Sequence, residues 1–204
     1  MANFCAIRPA NDAASLELSI WCAALLPAIA GSNHTVATDL YASAAVRRAV
    51  ERAFANIRCV LFFGHGTETE LLGARDAALV DGLNIAQARG AIFISIACSS
   101  ASVLGRNAIE NGVESYLGFS GPFAWVARDP DNRFQPATCR GILGMLEGMT
   151  TGAATQTMGE AFTEVVDFYL SGAGQGTTNS AFGYLTAFWD RQHLLLLGNR
   201  NAVL

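Results

Sequence analysis

Charged residues are scarce in this chain of 204 residues. Asp, Glu, Lys and Arg make up 15% of it, whereas hydrophobic residues make up 51%. A disordered chain has the opposite balance, so disorder is excluded. The composition is typical of a compact domain whose central sheet is buried on both faces. We therefore expect one domain of the α/β class, spanning residues 1–204.

The sequence also lacks a basic tract and a set of paired cysteines. The net charge is −4 and no Lys/Arg-rich run occurs, so we expect no nucleic-acid partner. Its cysteines are odd in number and contain no Cys-x-x-Cys pair; they stand at positions 5, 22, 59, 98 and 139. This pattern favours a reducing compartment and argues against a disulfide framework or a zinc site. We predict neither a metal nor a cofactor.

Targeting and membrane segments are not evident either. The N-terminal MANFCAIRPANDAAS has no basic start followed by an apolar core, as a signal peptide would. The apolar stretch LELSIWCAALLPAIAG is short for a bilayer span and carries Glu17 and Pro27. We expect a cytoplasmic protein without a membrane partner.

What the sequence does have is a series of apolar runs that alternate with helical patterns. The strand candidates are NFCAIRP, RCVLFF, DAALV, AIFISIA, VESYLGFSG and HLLLLG. Alternating strands and helices predict a largely parallel sheet of about six strands with helices on both faces. Functional residues of such sheets lie just beyond the carboxyl ends of strands.

Two reactive side chains occupy such positions. His65 follows the strand predicted over 58–63, in the motif Gly-His-Gly, and Cys98 follows the strand predicted over 91–97. If these strands are neighbours, an imidazole and a thiol meet at one sheet edge, where they can act as base and nucleophile. Each feature alone is more commonly structural, a loop histidine or a small buried cysteine. Their shared placement favours catalysis.

The backbone around these residues suggests an oxyanion hole. Gly66 has no Cβ, so a substrate carbonyl can approach its N–H, and the N–H of Cys98 would be the second donor. The serine-rich segment 99–112 also predicts a helix that begins at Cys98. Its dipole would favour a thiolate.

At these residues the sequence resembles the caspase-like cysteine peptidases, particularly their CHAT and gingipain-like branch. The family pattern is an apolar strand followed by His-Gly, then a strand ending in Ala-Cys; here these are VLFFGHG and IFISIACSSA. The segments GVESYLGFSG and LLLLGN extend the resemblance over most of residues 57–198. The resemblance implies a caspase-like three-layer sandwich, with His65 and Cys98 as the catalytic pair and Gly66 and Cys98 amides as the oxyanion hole.

The implied function is that of a thiol protease, a hydrolase that cleaves a protein substrate through a Cys-His dyad. A cytoplasmic peptidase with a competent dyad would endanger its host, so we expect latency until cleavage or binding of a protein activator. The family includes bacterial members that act in antiviral defence and programmed cell death, which implies such a role by analogy. Two other classes stay open: an inactive caspase-like interaction module, and a cysteine hydrolase or acyltransferase acting on a small molecule.

Substrate specificity does not transfer from the family. Ile96 stands two residues before the cysteine, where metacaspases carry an acid and caspases a glutamine. In caspases and gingipains, the loop after the first strand supplies a charged S1 residue. Here that loop holds Arg8, which suits an acidic P1 side chain, and Asp12, which suits a basic one. A helix cap by Asp12 or Asn11 is the commoner role for this segment.

Further candidates lie in two loops. Phe123 and Trp125 are expected to wall a substrate pocket or to pack beneath their own loop, and substrate would extend beside residues 121–135. Asp76 and Asp81 flank a short strand between the catalytic residues, where they are either solvated or orient His65.

Overall fold

The computed structural model describes residues 2–127, 133–171 and 180–204. A six-stranded sheet forms the centre of the fold, in the order β2-β1-β3-β6-β7-β8. Only the β7–β8 pair is antiparallel. The strands are β1 (Asn3–Arg8), β2 (Thr35–Tyr41), β3 (Cys59–Phe63), β6 (Ile92–Ile96), β7 (Ser115–Phe119) and β8 (Leu194–Gly198), while β4 (Leu71–Leu72) and β5 (Ala78–Val80) form a separate hairpin.

Helices cover both faces of the sheet. They are α1 (Ala13–Gly31), α2 (Arg47–Ala53), α3 (Leu104–Glu110), α4 (Phe134–Leu146), α5 (Thr151–Leu170) and α6 (Ser180–His193). Successive side chains of β3 point alternately into two cores, as the pleat requires. Leu61 and Phe63 pack with α1, α4 and α5, whereas Val60 and Phe62 pack with α2 and α3. The predicted three-layer α/β class is confirmed.

Helix α1 is one of the elements that bury the first core. It has 19 residues and is, by length and composition, the one described helix that meets the criterion for crossing a membrane. The stretch considered from the sequence, LELSIWCAALLPAIAG, was too short because the helix begins earlier, at Ala13. A core helix meets the same criterion, and α1 buries Leu18, Trp21 and Ile29 against the rest of the fold.

One strand of the main sheet differs from the prediction. DAALV forms β5 in the hairpin rather than a strand of the main sheet. The sixth strand of the main sheet is β2, TVATDLY, which was not predicted as a strand. Because β2 lies at the sheet edge, all of its residues except Leu40 are exposed or half-buried, and Thr38 and Asp39 interrupt its apolar residues. It therefore lacks the continuous apolar run that marks the central strands.

The predicted helix after Cys98 is also shorter than expected. Residues 98–103 form turns, and α3 begins only at Leu104. Ser99 adopts a left-handed conformation with φ 54°, and Ser102 bonds the Ser99 carbonyl with both its N–H and its hydroxyl. Such local bonding by serine competes with a helix. The prediction that a helix begins at Cys98 is wrong, and no helix dipole acts on its thiol.

Candidate active site

The register of the sheet places His65 and Cys98 at one edge. Phe63 at the end of β3 lies opposite Ile96 at the end of β6. His65 follows Phe63 by two positions, and Cys98 follows Ile96 by two positions. Strand β1 flanks β3 on its other side, with Ile7 opposite Phe62. Because all three strands run parallel, the loop after β1 emerges at the same edge.

A cavity of about 150 Å³ lies at this edge and will be termed the Cys98 cavity. Four of its lining residues are candidates from the sequence: His65, Cys98, Phe123 and Trp125. The complete lining is Ala14, Leu18, Gly64, His65, Ala97, Cys98, Phe123 and Trp125. The fold thus brings the predicted thiol, imidazole and aromatic residues to one concave surface.

The imidazole of His65 is held by Asp12. Nε2 of His65 lies 2.7 Å from Oδ2 of Asp12. The pKa of Asp12 is lowered, first by the hydrogen bond from the Ser15 backbone N–H and further by Ser15 Oγ and His65. The ionised carboxylate can only accept a hydrogen bond, so Nε2 carries the proton. In the neutral form of the ring, Nδ1 is then the atom that can accept a proton.

Asp12 has a second role in the same place. It is the N-cap of α1: Oδ1 accepts the N–H of Ser15 at 2.8 Å, and Ser15 Oγ accepts the N–H of Asp12 in a capping box. The sequence suggested this cap and a substrate contact, but not the contact with His65. The one sequence signal for the contact with His65 was the position of Asp12 just beyond the end of β1. The contact of Asp12 with a basic P1 side chain stays a prediction.

The acids proposed from sequence to orient His65 lie elsewhere. Asp81 pairs with Arg47 at 2.5 Å and 2.9 Å beside α2, and Asp76 is exposed in the hairpin connection. Arg8 is likewise engaged, since it bonds Asp39 at 2.6 Å and lies over the Tyr41 ring. It does not line the Cys98 cavity.

We expect Asp12→Asn to separate the two roles of Asp12. Asparagine is as good an N-cap as aspartate, so the melting temperature should stay nearly unchanged. Without the carboxylate, the ring is no longer held in one tautomer, and the kcat of the peptidase activity that the family resemblance implies should fall about tenfold or more. Thermal unfolding and steady-state peptide cleavage would be measured together. A loss of stability that matched the loss of rate would instead indicate a purely structural role.

Gly66 lies directly against the segment that carries Cys98. A Cβ built on Gly66 would stand 2.9 Å from Cβ of Ala97 and 3.0 Å from the carbonyl oxygen of Cys98. Any side chain would push these two segments apart. Within the described residues, the N–H groups of Gly66 and Cys98 donate to no backbone or side-chain acceptor. Both amides are therefore available to bind an oxyanion.

Cys98 differs from the other cysteines in its surroundings. All five are free thiols, and Cys98 alone is not fully buried. Burial raises the pKa of Cys5 and Cys139 to about 12, and that of Cys22 and Cys59 still further. These four are inert packing residues. The Cys98 thiol points to the Phe123 carbonyl oxygen, 3.6 Å away.

The aromatic wall of the cavity is firmly packed. The Phe123 ring lies 4.5 Å from Phe119 and 6.4 Å from Trp21, and the Trp125 ring lies 5.5 Å from Trp21. Behind the wall, Trp189 of α6 donates its indole N–H to the Pro122 carbonyl at 2.8 Å. Part of the substrate-facing segment predicted over 121–135, namely 128–132, lies outside the described residues.

Asp190 of α6 supports the same wall from beneath. Its Oδ1 accepts the N–H of Ala124 at 3.2 Å, while Oδ2 has no partner among the described residues. Burial raises the pKa of this fully buried carboxyl well above its usual range. The folded protein therefore keeps this proton at pH values where the unfolded chain has lost it. Its contribution to stability is complete below pH about 4 and declines as pH rises.

Asp190→Asn is expected to remove this pH dependence. The amide keeps the acceptor for Ala124 and carries no titrating proton. Stability should rise at pH 8, with a melting temperature higher by about 2–4 °C if the gain is about 1 kcal/mol, and remain unchanged near pH 4. Thermal unfolding at both pH values would test this, with the exposed Asp167→Asn as control. An equal effect at both pH values would contradict the assignment.

Comparisons with known proteins place the fold. No family model matches the chain, and no curated protein sequence matches it. Solved structures do: RgpB of Porphyromonas gingivalis, in the complex of its pro- and mature domains, superposes with a TM-score of 0.57 at 12% identity, over 98% of this chain and 47% of that one. The Arg-specific cysteine proteinase gingipain R (RgpB) gives a TM-score of 0.58 at 13% identity, over 98% and 46%.

This chain spans about half the length of those gingipain chains. At such identity the likeness concerns the fold, and the CHAT branch stays a prediction. The six-stranded, mostly parallel sheet and the helices that cover it agree with this likeness. The chain has the caspase-like cysteine peptidase fold found in gingipain R.

Proposed function

We propose that the chain is a cysteine endopeptidase in which Cys98 is the nucleophile and His65 the general base. One observation carries the proposal. His65 and Cys98 line a single cavity at the carboxyl edge of the sheet, and Asp12 holds Nε2 of the histidine at 2.7 Å. This leaves Nδ1 as the acceptor that a thiol proton requires.

The proposed reaction follows from these groups. His65 Nδ1 takes the proton of the Cys98 thiol, and the thiolate attacks the scissile carbonyl carbon. The N–H groups of Gly66 and Cys98 stabilise the oxyanion. The imidazolium then gives its proton to the leaving amine as the C–N bond breaks, which leaves a thioester. Water, deprotonated by His65, hydrolyses the thioester and restores the thiol.

The proposal extends to latency. The Cys98 thiol points to the Phe123 carbonyl, a contact that must be released before the proton moves to His65. We propose that cleavage or a protein activator releases it, and that the protein substrate enters at the same edge. A cytoplasmic location is supported by five free thiols. A role in bacterial defence or cell-death signalling is an extension from the family resemblance.

Thiol reactivity tests the dyad without knowledge of the natural substrate. We expect chloroacetamide to alkylate Cys98 at pH 7 faster than the same cysteine in His65→Ala, by about tenfold or more. Peptide mapping by mass spectrometry would report each cysteine separately. Equal rates both in the untreated protein and after limited proteolysis would mean that His65 does not activate the thiol, which would favour an inactive interaction module. The size of the site bears on the other alternative, a hydrolase or acyltransferase of small molecules. The Cys98 cavity of about 150 Å³ is smaller than the sites that enclose whole small-molecule ligands, which are about 300–1,000 Å³, and this favours the peptidase.

A further inference from the structure

We infer that the Cys98 cavity selects substrates by an uncharged, apolar P1 side chain of about the size of leucine or phenylalanine. The inference rests on the proposed function and adds the substrate class. A peptide whose carbonyl lies on the Cys98 sulfur places its P1 side chain beside that atom. The cavity that Cys98 and His65 share is therefore where this side chain would enter.

The lining of the cavity is almost entirely apolar. Apart from His65 and Cys98 it consists of glycine, alanine, leucine and aromatic residues, and no carboxylate or guanidinium among the described residues lines it. Asp12 is bound to His65 and Arg8 to Asp39. A charged P1 side chain would lose its hydration there without gaining a partner, which is costly. The lining thus disfavours the basic and acidic P1 residues considered from the sequence.

The size of the cavity limits which apolar P1 side chains can fill it. A cavity of about 150 Å³ lined by leucine, isoleucine and phenylalanine stays dry and accepts benzene; the Cys98 cavity has about this volume. Its wall is backed by Trp21, which contacts both Phe123 and Trp125. Because packed aromatic groups resist displacement, the volume is set before substrate arrives. Alanine would leave it largely empty, and tryptophan would overfill it.

One lining position allows the specificity to be altered. Ala14 lies half-buried in the first turn of α1, where an acid is favourable beside the helix N-terminus. Ala14→Asp would put a carboxylate on the cavity wall, and Ala14→Asn would add the same bulk without charge. The pair separates electrostatic selection from steric exclusion.

The test uses peptidyl acyloxymethyl ketones that differ only at P1: Leu, Phe, Arg, Asp and Gln. Second-order rates of Cys98 labelling would be measured by intact mass, on the untreated protein and after limited proteolysis. We expect the Leu and Phe reagents to react at least about tenfold faster than the Arg and Asp reagents. Ala14→Asp should raise the Arg rate relative to the Leu rate by about tenfold, whereas Ala14→Asn should not.

The outcomes distinguish this inference from the proposed function. Faster labelling by the Arg or Asp reagent, or equal rates for all, would overturn the apolar P1 preference alone. A preference for Gln would do the same and would identify the buried indole N–H of Trp125, which has no partner among the described residues, as a donor. Labelling by none of the reagents in either state would overturn the endopeptidase itself.

Discussion

Cys98→Ala is expected to abolish peptide cleavage, with kcat lower by on the order of 10⁴-fold or more. The reason is chemical: without sulfur no thioester forms, and the remaining groups only bind and polarise the peptide bond. The substitution removes one atom from a half-buried position, so the fold should survive. Both proteins would be treated by limited proteolysis to release the proposed latency, and cleavage of an unstructured protein substrate, followed by mass spectrometry of the products, would measure the loss.

The chain supplies a matched control for this substitution. Cys139 of α4 is also a free thiol, but it is buried in the core away from the cavity, and burial raises its pKa to about 12. Cys139→Ala should keep the cleavage rate and lose only some stability. Undiminished proteolysis by Cys98→Ala would refute the assignment of the nucleophile.

His65→Ala should lower kcat by about 10²–10⁴-fold, the usual contribution of a general base. The thiol would lose its proton acceptor, and the leaving amine would lose its proton donor. Since the ring is 39% exposed, little packing is lost. Added imidazole should restore part of the rate, because a small base can enter the vacated space, and a structural effect would not respond in this way.

A second histidine provides the comparison. His34 accepts a hydrogen bond from the backbone N–H of Ala2, just before edge strand β2, so His34→Ala leaves the site intact. Its cleavage rate should match that of the unchanged protein within about twofold. If His65→Ala retained its full rate, or if both variants lost activity equally, His65 would not be the base.

The placement of His65 and Cys98 at one edge of the sheet was predictable because it depends on only two strands. Strand β3 is an unbroken apolar run, β6 is apolar except for Ser95, and both are buried throughout. Such runs indicate central parallel strands. Once β3 and β6 are neighbours, the residues two positions beyond Phe63 and Ile96 necessarily lie at one edge. The apolar pattern of these two segments was therefore enough to predict that His65 and Cys98 lie at the same edge of the sheet.

The contact between Asp12 and His65 was not predictable in that way. It requires β1, rather than β2, to flank β3, and strand order depends on how the crossover connections pack. The polar, exposed β2 gave no signal of its place at the sheet edge. The turns after Cys98 escaped prediction for a local reason, since the left-handed Ser99 interrupts a segment whose serines resemble a helix start.

One carboxyl group ties the imidazole to the backbone of α1. Oδ1 of Asp12 takes the Ser15 amide and Oδ2 takes the ring of His65. Fraying of the first turn of α1 would therefore also set the ring free to rotate. The orientation of the His65 ring therefore depends on the first turn of α1, so a partner that unwound this turn would also switch off the proposed activity.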